Sequence, residues 1–136
     1  MAGRKRRKKR RGLWSKRSEY VREGGDTVVM DSTWEVACAT RLDELGIRWE
    51  RDPGMKLPYL TRGKRKRNYI PDFYLPDHDM YIEVKGYWTD AAKHKMKDVM
   101  LRNPVKILIL ESLIEIADLG EEKLARFYKE NAESEE

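Results

Sequence analysis

Residues 70–85 read Ile70-Pro71-Asp72-Phe73-Tyr74-Leu75-Pro76-Asp77-His78-Asp79-Met80-Tyr81-Ile82-Glu83-Val84-Lys85, and this stretch decides the fold. Asp72 closes an apolar approach, Tyr69-Ile70-Pro71, and opens the apolar run Phe73-Tyr74-Leu75. Pro76-Asp77-His78-Asp79 has the composition of a turn, and Met80 to Lys85 returns as a second strand. Successive side chains of a strand face opposite sides, so Glu83 and Lys85 share a face while Ile82 and Val84 point to the core. Paired as a hairpin, the two runs bring Asp72 beside Glu83 and Lys85.

Two carboxylates and an ammonium suit metal-dependent phosphodiester hydrolysis. Mg²⁺ takes one or two carboxylates and otherwise keeps water and the substrate phosphate. Such a metal polarises the phosphate and lowers the pKa of bound water. A neighbouring lysine orients that water or steadies the charge growing on the phosphate. The plain alternative is an edge hairpin with solvated charges. A proline ahead of the aspartate, and a Glu-x-Lys inside an otherwise apolar strand, favour the metal site. Spacing alone carries the reading no further than metal binding.

Working outward, the spacing of Trp34, Cys38, Leu42 and Leu45 predicts a helix over 33–45, capped by Ser32 or Asp31 and ended by Gly46. Ser32-x-x-Glu35 is a capping box in its own right, in which the glutamate satisfies a free backbone donor. Cys38, the one cysteine, sits on the apolar face and reads as core filler. Residues 47–50 alternate like a strand, Asp52-Pro53-Gly54 turns the chain, and 55–60 forms another strand interrupted by Pro58. A basic loop at 61–68 connects it to the next strand, presenting Arg62, Lys64, Arg65, Lys66 and Arg67 to a nucleic-acid backbone. Gly86 ends the Glu-x-Lys strand. Thr89 caps a helix over 90–102 with Ala92, Met96, Val99 and Met100 as its stripe and Lys93, Lys95 and Lys97 elsewhere on its surface. Of these, Lys93 and Lys97 are candidate DNA contacts. Residues 105–110, the most apolar run, predict a buried strand. The strand–helix–strand unit then implies parallel pairing with a right-handed crossover. A last helix over 121–131 shows Leu124, Phe127 and Tyr128 on one side. His78 and His94 share no ligand spacing and read as surface groups. The expected class is α/β, a small mixed sheet flanked by helices.

Composition sets the frame. The 136 residues, 40 % of them apolar, suit one domain with a modest core. A charged fraction of 39 % exceeds the usual quarter, so the surface is electrostatic. The net charge of +5 hides an asymmetry: Arg4, Lys5, Arg6, Arg7, Lys8, Lys9, Arg10 and Arg11 are eight consecutive basic residues. Like charges repel, so residues 1–26 read as a disordered basic arm that meets a polyanion, with salt-sensitive affinity. A nuclear localisation signal or a solubility tail are the other readings of the run. Trp14 and Tyr20 in this arm are candidate stacking surfaces for bases. A single folded domain is expected over 27–132, with 133–136 as a frayed acidic tail. The single cysteine excludes an internal disulfide and a cysteine zinc site. No apolar run is long enough to span a membrane, and the basic start lacks the apolar region of a secretory signal, so a cytoplasmic setting is expected.

Pro71-Asp72 followed after ten residues by Glu83-Val84-Lys85 resembles the PD-(D/E)xK nuclease superfamily. Ser32-x-x-Glu35, the phrase from Tyr69 to Pro76, and Glu83-x-Lys85-Gly86-x-Trp88 extend the likeness to the phage endonuclease I family of Holliday-junction-resolving enzymes. It covers about residues 28–111. The resemblance implies a restriction-endonuclease-like core in which Asp72, Glu83 and the Val84 backbone carbonyl bind Mg²⁺, with Mn²⁺ as a substitute. It makes Lys85 a catalytic group and Glu35 an additional catalytic and metal-binding carboxylate, alongside its capping role. It further implies branched DNA as substrate and a homodimer that makes paired nicks. In that family the chains exchange strands, so Glu35 would meet the site of the other subunit, with 48–59 as the bridge. The tract after Ser112 carries no such likeness. Rival readings are a homing, restriction-like, transposon-end or mismatch-nicking nuclease, and a non-catalytic nucleic-acid-binding module.

Overall fold

The structure, a computed structural model, describes residues 17–22, 24–51, 54 and 56–133, the side chains of Ala132 and Glu133 excepted. The run Arg4 to Arg11 and Trp14 lie outside the described residues, as do 134–136 of the acidic tail. β1 (Ser18–Val21) and β2 (Thr27–Met30) pair as an antiparallel hairpin, turning through Gly24 and Gly25 at positive φ. An arm running to residue 26 is therefore too long: its last part is paired strand. Tyr20 is not a free stacking surface either. Its ring lies 5.9 Å from that of Trp49, and its hydroxyl donates to Asp43 Oδ2 at 2.5 Å. Trp49 Nε1 donates to the other oxygen of Asp43 at 2.8 Å, so one carboxylate ties both rings.

α1 (Thr33–Glu44) starts where expected, because the Ser32 hydroxyl accepts the Glu35 amide at 3.0 Å. It ends at Leu45, with Gly46 beyond it at φ 70°. Residues 47–50 are not a strand. Ile47 and Trp49 are buried, Arg48 reaches out to Asp77 at 2.8 Å, and only Glu50 makes a bridge, to Tyr74. Packing claims this segment before a ladder can.

β3 (Leu57–Leu60) and β4 (Lys66–Tyr69) form a second antiparallel hairpin. The basic loop is consequently shorter than 61–68, since Lys66 and Arg67 already belong to a strand. β5 (Phe73–Leu75), β6 (Met80–Val84) and β7 (Ile107–Leu110) form a mixed sheet, with β6 antiparallel to β5 and parallel to β7. The chain passes from β6 to β7 through α2 (Asp90–Arg102), capped by the Thr89 hydroxyl on the Ala92 amide at 3.0 Å. After β7 come α3 (Leu113–Ala117) and α4 (Glu121–Glu133). α3 is an element the sequence reading did not name.

Both faces of the sheet are covered. Met80, Ile82, Leu108 and Leu110 join Cys38, Ala39 and Leu42 of α1, Ile116 of α3, Leu119 between the last two helices, and Leu124 of α4 in one core. Tyr81 and Ile107 join Leu57, Tyr69, Met96 and Val99 in another. Fully burying a side chain such as Ile82 contributes about 1.5–3 kcal/mol. Because β6 is buried on both sides, Glu83 points not into water but into the second core, beside Tyr69. The α/β class with a small mixed sheet and flanking helices is thus the observed architecture. No helix among the described residues is long and apolar enough to cross a membrane.

Candidate active site

Asp72 sits immediately before β5, and the register Phe73↔Ile82 places it opposite Glu83. Tyr74 exchanges its backbone hydrogen bonds with Glu50 at 2.8 Å, away from β6, so Phe73 and Leu75 face β6. Tyr81 and Lys85 donate toward β7, so the N–H and C=O of Val84 face the β5 side. The residue that would come next opposite Val84 is Pro71, which has no N–H. The ladder therefore stops one rung short. The Val84 amide is met instead by Asp72 Oδ2 at 2.8 Å, and the Val84 carbonyl receives no ladder donor. Pro71 and Asp72 together open the sheet at this point.

Glu83 is fixed from the second core, on its own face of the sheet. The Tyr69 hydroxyl, at the end of β4, makes a short hydrogen bond to Glu83 Oε1. Among the described residues, Asp72 Oδ1 and Glu83 Oε2 carry no such bond, so each carboxylate has one oxygen tethered and one uncommitted. Lys85 lies on the same side of β6 as Glu83, its ammonium 5.7 Å from the Trp88 ring. Gly86 follows because an added Cβ would come within 2.8 Å of the Trp34 ring of α1.

Glu35 is held by its own chain. Its Oε1 accepts the Asp31 amide at 3.1 Å and pairs with Arg51 Nη1 at 2.9 Å. The same guanidinium nitrogen donates to the Asp72 backbone carbonyl at 3.0 Å. Glu35 and Asp72 thus meet through Arg51 within one chain. The cap is real, and so is the proximity.

Electrostatics follow from this crowding. Burial, and then the Glu83 and Glu35 charges, hold Asp72 well above the usual carboxylate range, against the Val84 amide and Arg51. Burial also raises Glu83, while the Tyr69 hydroxyl, Lys85 and Lys95 pull it down. The Cys38 thiol beside them is pushed up by burial and then by Asp72 and Glu35, which keeps it an unreactive core group. Among the described residues no three His, Cys, Asp or Glu side chains form a metal cage. What converges is two carboxylates, each with a spare oxygen, and a main-chain carbonyl without a ladder donor. That donor set fits a hard divalent cation that keeps several of its waters.

The remaining candidates lie on the β3–β4 hairpin and on α2. Arg62, Lys64 and Arg65 occupy the β3–β4 turn, and Lys66 and Arg67 are exposed on β4. Lys93 and Lys97 border a depression with Trp88 and Glu111, and Trp88 Nε1 donates to Glu111 at 2.6 Å. His78 and His94 are not free surface groups: each is half-buried, one against Glu121 at 2.5 Å and the other against the Leu60 carbonyl at 2.9 Å. Three residues of the site escaped the sequence reading: Arg51, Tyr69 and Lys95. Lys95 is half-buried, with its ammonium 5.1 Å from the Tyr69 ring, rather than lying off the packed face of α2. Its helical spacing with Ala92 and Val99 was the signal for it. Arg51 lies in a segment without periodicity, and nothing local marks it. No protein-family model, no curated protein and no solved structure matches this chain.

Proposed function

We propose that this protein is a Mg²⁺-dependent, structure-selective DNA endonuclease with a restriction-endonuclease-like PD-(D/E)xK core, cutting four-way junctions as a homodimer. The observation that carries the reading is the interrupted rung: Asp72 and Glu83 lie together where β5 begins, beside a Val84 carbonyl without a ladder donor. Buried like charges without a cation destabilise a fold, so a site that keeps them has a use for them.

The roles follow from position. Asp72 and Glu83 offer their spare oxygens, and Val84 its carbonyl, to the cation. A cation held there supplies Lewis acidity toward a phosphodiester oxygen. Val84 and Tyr69 keep the two acids from turning away. Lys85 brings a positive charge to the side of Glu83, where it can orient the attacking water or offset charge on the phosphate. Arg51 neutralises Glu35 and anchors the backbone of Asp72, so Glu35 acts first as a positioning group. The dimer is proposed for the symmetry of two nicks, since one chain already supplies all four residues. The basic turn at 61–65, with Lys93 and Lys97, supplies phosphate contacts.

The test is a denaturing gel of a synthetic four-way junction and a matched linear duplex, each incubated with protein and Mg²⁺. Paired nicks confined to the junction are expected. Cuts at one sequence in the duplex would favour a sequence-specific nuclease, and binding without metal-dependent cutting would favour a non-catalytic module. Arg51's hold on Glu35 is the one observation leaning toward the module, because it removes a third acid from the ligand set.

A further inference from the structure

A cleft of about 180 Å³ opens between the β3–β4 hairpin and α2, lined by Tyr59, Thr61, Arg62, Ala92, His94 and Lys95. Its walls are clamped. Leu60, at the end of β3, donates its amide to Asp98 of α2 at 2.7 Å, and its carbonyl meets His94 of α2 at 2.9 Å. Lys95 stands where the cleft meets the acid pair, 5.8 Å from the Tyr59 ring and 5.1 Å from the Tyr69 ring. The Tyr69 hydroxyl is on Glu83, so the ammonium and the acid pair are separated by a single ring. Lys95 is half-buried, yet among the described residues no carboxylate forms an ion pair with it. The Glu83 charge acts on this ammonium without an ion pair, and the rings offer only their faces, so a directly bonded anion would add a partner the fold does not supply. Arg62, in the β3–β4 turn, supplies a second cation from the opposite wall.

We propose that this cleft is the subsite for a nucleotide adjacent to the scissile one, with Lys95 and Arg62 gripping its phosphate and the Tyr59 ring facing its sugar or base. The inference rests on the nuclease reading and adds the path of the DNA strand to it. A phosphate explains why two cations border a cleft whose walls are mostly apolar, and a nucleotide is the chemical class that joins an anion to a flat apolar face.

The experiment is a cycle between protein and substrate. A panel of four-way junctions, each with one neutral methylphosphonate at a phosphate flanking the branch, is titrated with wild-type, Lys95→Gln and Lys95→Arg protein. Anisotropy is read with Ca²⁺ in place of Mg²⁺, so that binding is measured without cutting. Lys95→Gln is expected to weaken binding about tenfold and lower the slope of log affinity against log salt by about one. At one position in the panel the methylphosphonate and Lys95→Gln should each weaken binding and do no more together, while Lys95→Arg keeps most of the affinity. Losses that multiply at every position, or a Lys95→Gln protein with wild-type affinity and slope, overturn the proposal. Should Lys95→Gln fail to fold, Arg62→Gln run through the same cycle decides it. A Mg²⁺ lane separates the two readings. Wild-type protein that shows the coupling but never cuts refutes the nuclease and leaves the phosphate contact standing, whereas protein that binds no DNA refutes both.

Discussion

Two helices of this molecule begin with the same device and put it to different ends. At α1, the Ser32 hydroxyl accepts the Glu35 amide at 3.0 Å, and Glu35 Oε1 reaches back to the Asp31 amide at 3.1 Å. At α3, the Ser112 hydroxyl accepts the Glu115 amide at 3.1 Å, and Glu115 Oε1 reaches back to the Glu111 amide at 3.0 Å. The local chemistry is interchangeable. Yet Glu35 is 7 % exposed and paired to Arg51 beside Asp72, while Glu115 lies half-buried past the C-terminal end of β7 and makes no ion pair among the described residues. A capping glutamate is therefore neutral evidence about function, and what distinguishes the two is what the rest of the fold brings alongside.

The comparison can be sharpened by substitution. The largest effect belongs outside the caps: Asp72→Asn or Lys85→Ala should reduce Mg²⁺-dependent junction cutting by about 10³-fold or more while leaving junction affinity nearly intact. Single-turnover rates and anisotropy read the two quantities separately, and equal loss of both would remove the catalytic assignment. Next come Glu35→Gln and Glu115→Gln, each of which keeps a capping acceptor. Glu35→Gln should slow cutting about 10- to 100-fold and cost on the order of 2 kcal/mol from the lost Arg51 pair, whereas Glu115→Gln should leave the cutting rate unchanged. If the two variants cut alike, the proximity of Glu35 to Asp72 has no catalytic meaning.

A smaller effect concerns pH. Asp72 and Glu83 have folded values raised above their unfolded ones, chiefly by burial. Their contribution favours folding while both states hold the proton, and is lost as pH rises through the raised values. The metal-free protein should therefore melt at lower temperature near pH 8 than near pH 5, and Mg²⁺ should restore part of the difference. Asp72→Asn should flatten the dependence, and a melting temperature that climbs steadily toward pH 8 would contradict it. The smallest effect is the pair Ser32→Ala and Ser112→Ala, each costing about 1 kcal/mol of stability by denaturant titration. Only the first should also slow cutting.

Much of this architecture was legible from pattern. The helix over 90–102 and its Thr89 cap are set by local periodicity and one capping residue and appear as expected, and the strand expected over 105–110 appears over 107–110. The juxtaposition of Asp72 with Glu83 was legible because a short turn fixes hairpin register. What failed were features decided by distant partners. Residues 47–50 alternate like a strand, but Trp49 finds Tyr20 and Phe73 and is drawn into the core. β1 was hidden because charged neighbours outweigh Tyr20 and Val21 in composition, although β2 completes it. α3 carried a readable cap, but five residues are too few to show periodicity. Arg51 and Tyr69 became site residues only once the chain had folded back on itself.

The missing rung at Pro71 carries a consequence for how such a site can be lost. An imino acid there works as a spacer in the weave of the sheet: it keeps a neighbouring oxygen idle by having no hydrogen to offer it. Any other residue at that position would carry an amide able to zip the strands one step further. The pocket would then close by ordinary backbone pairing, with every acidic side chain still in place.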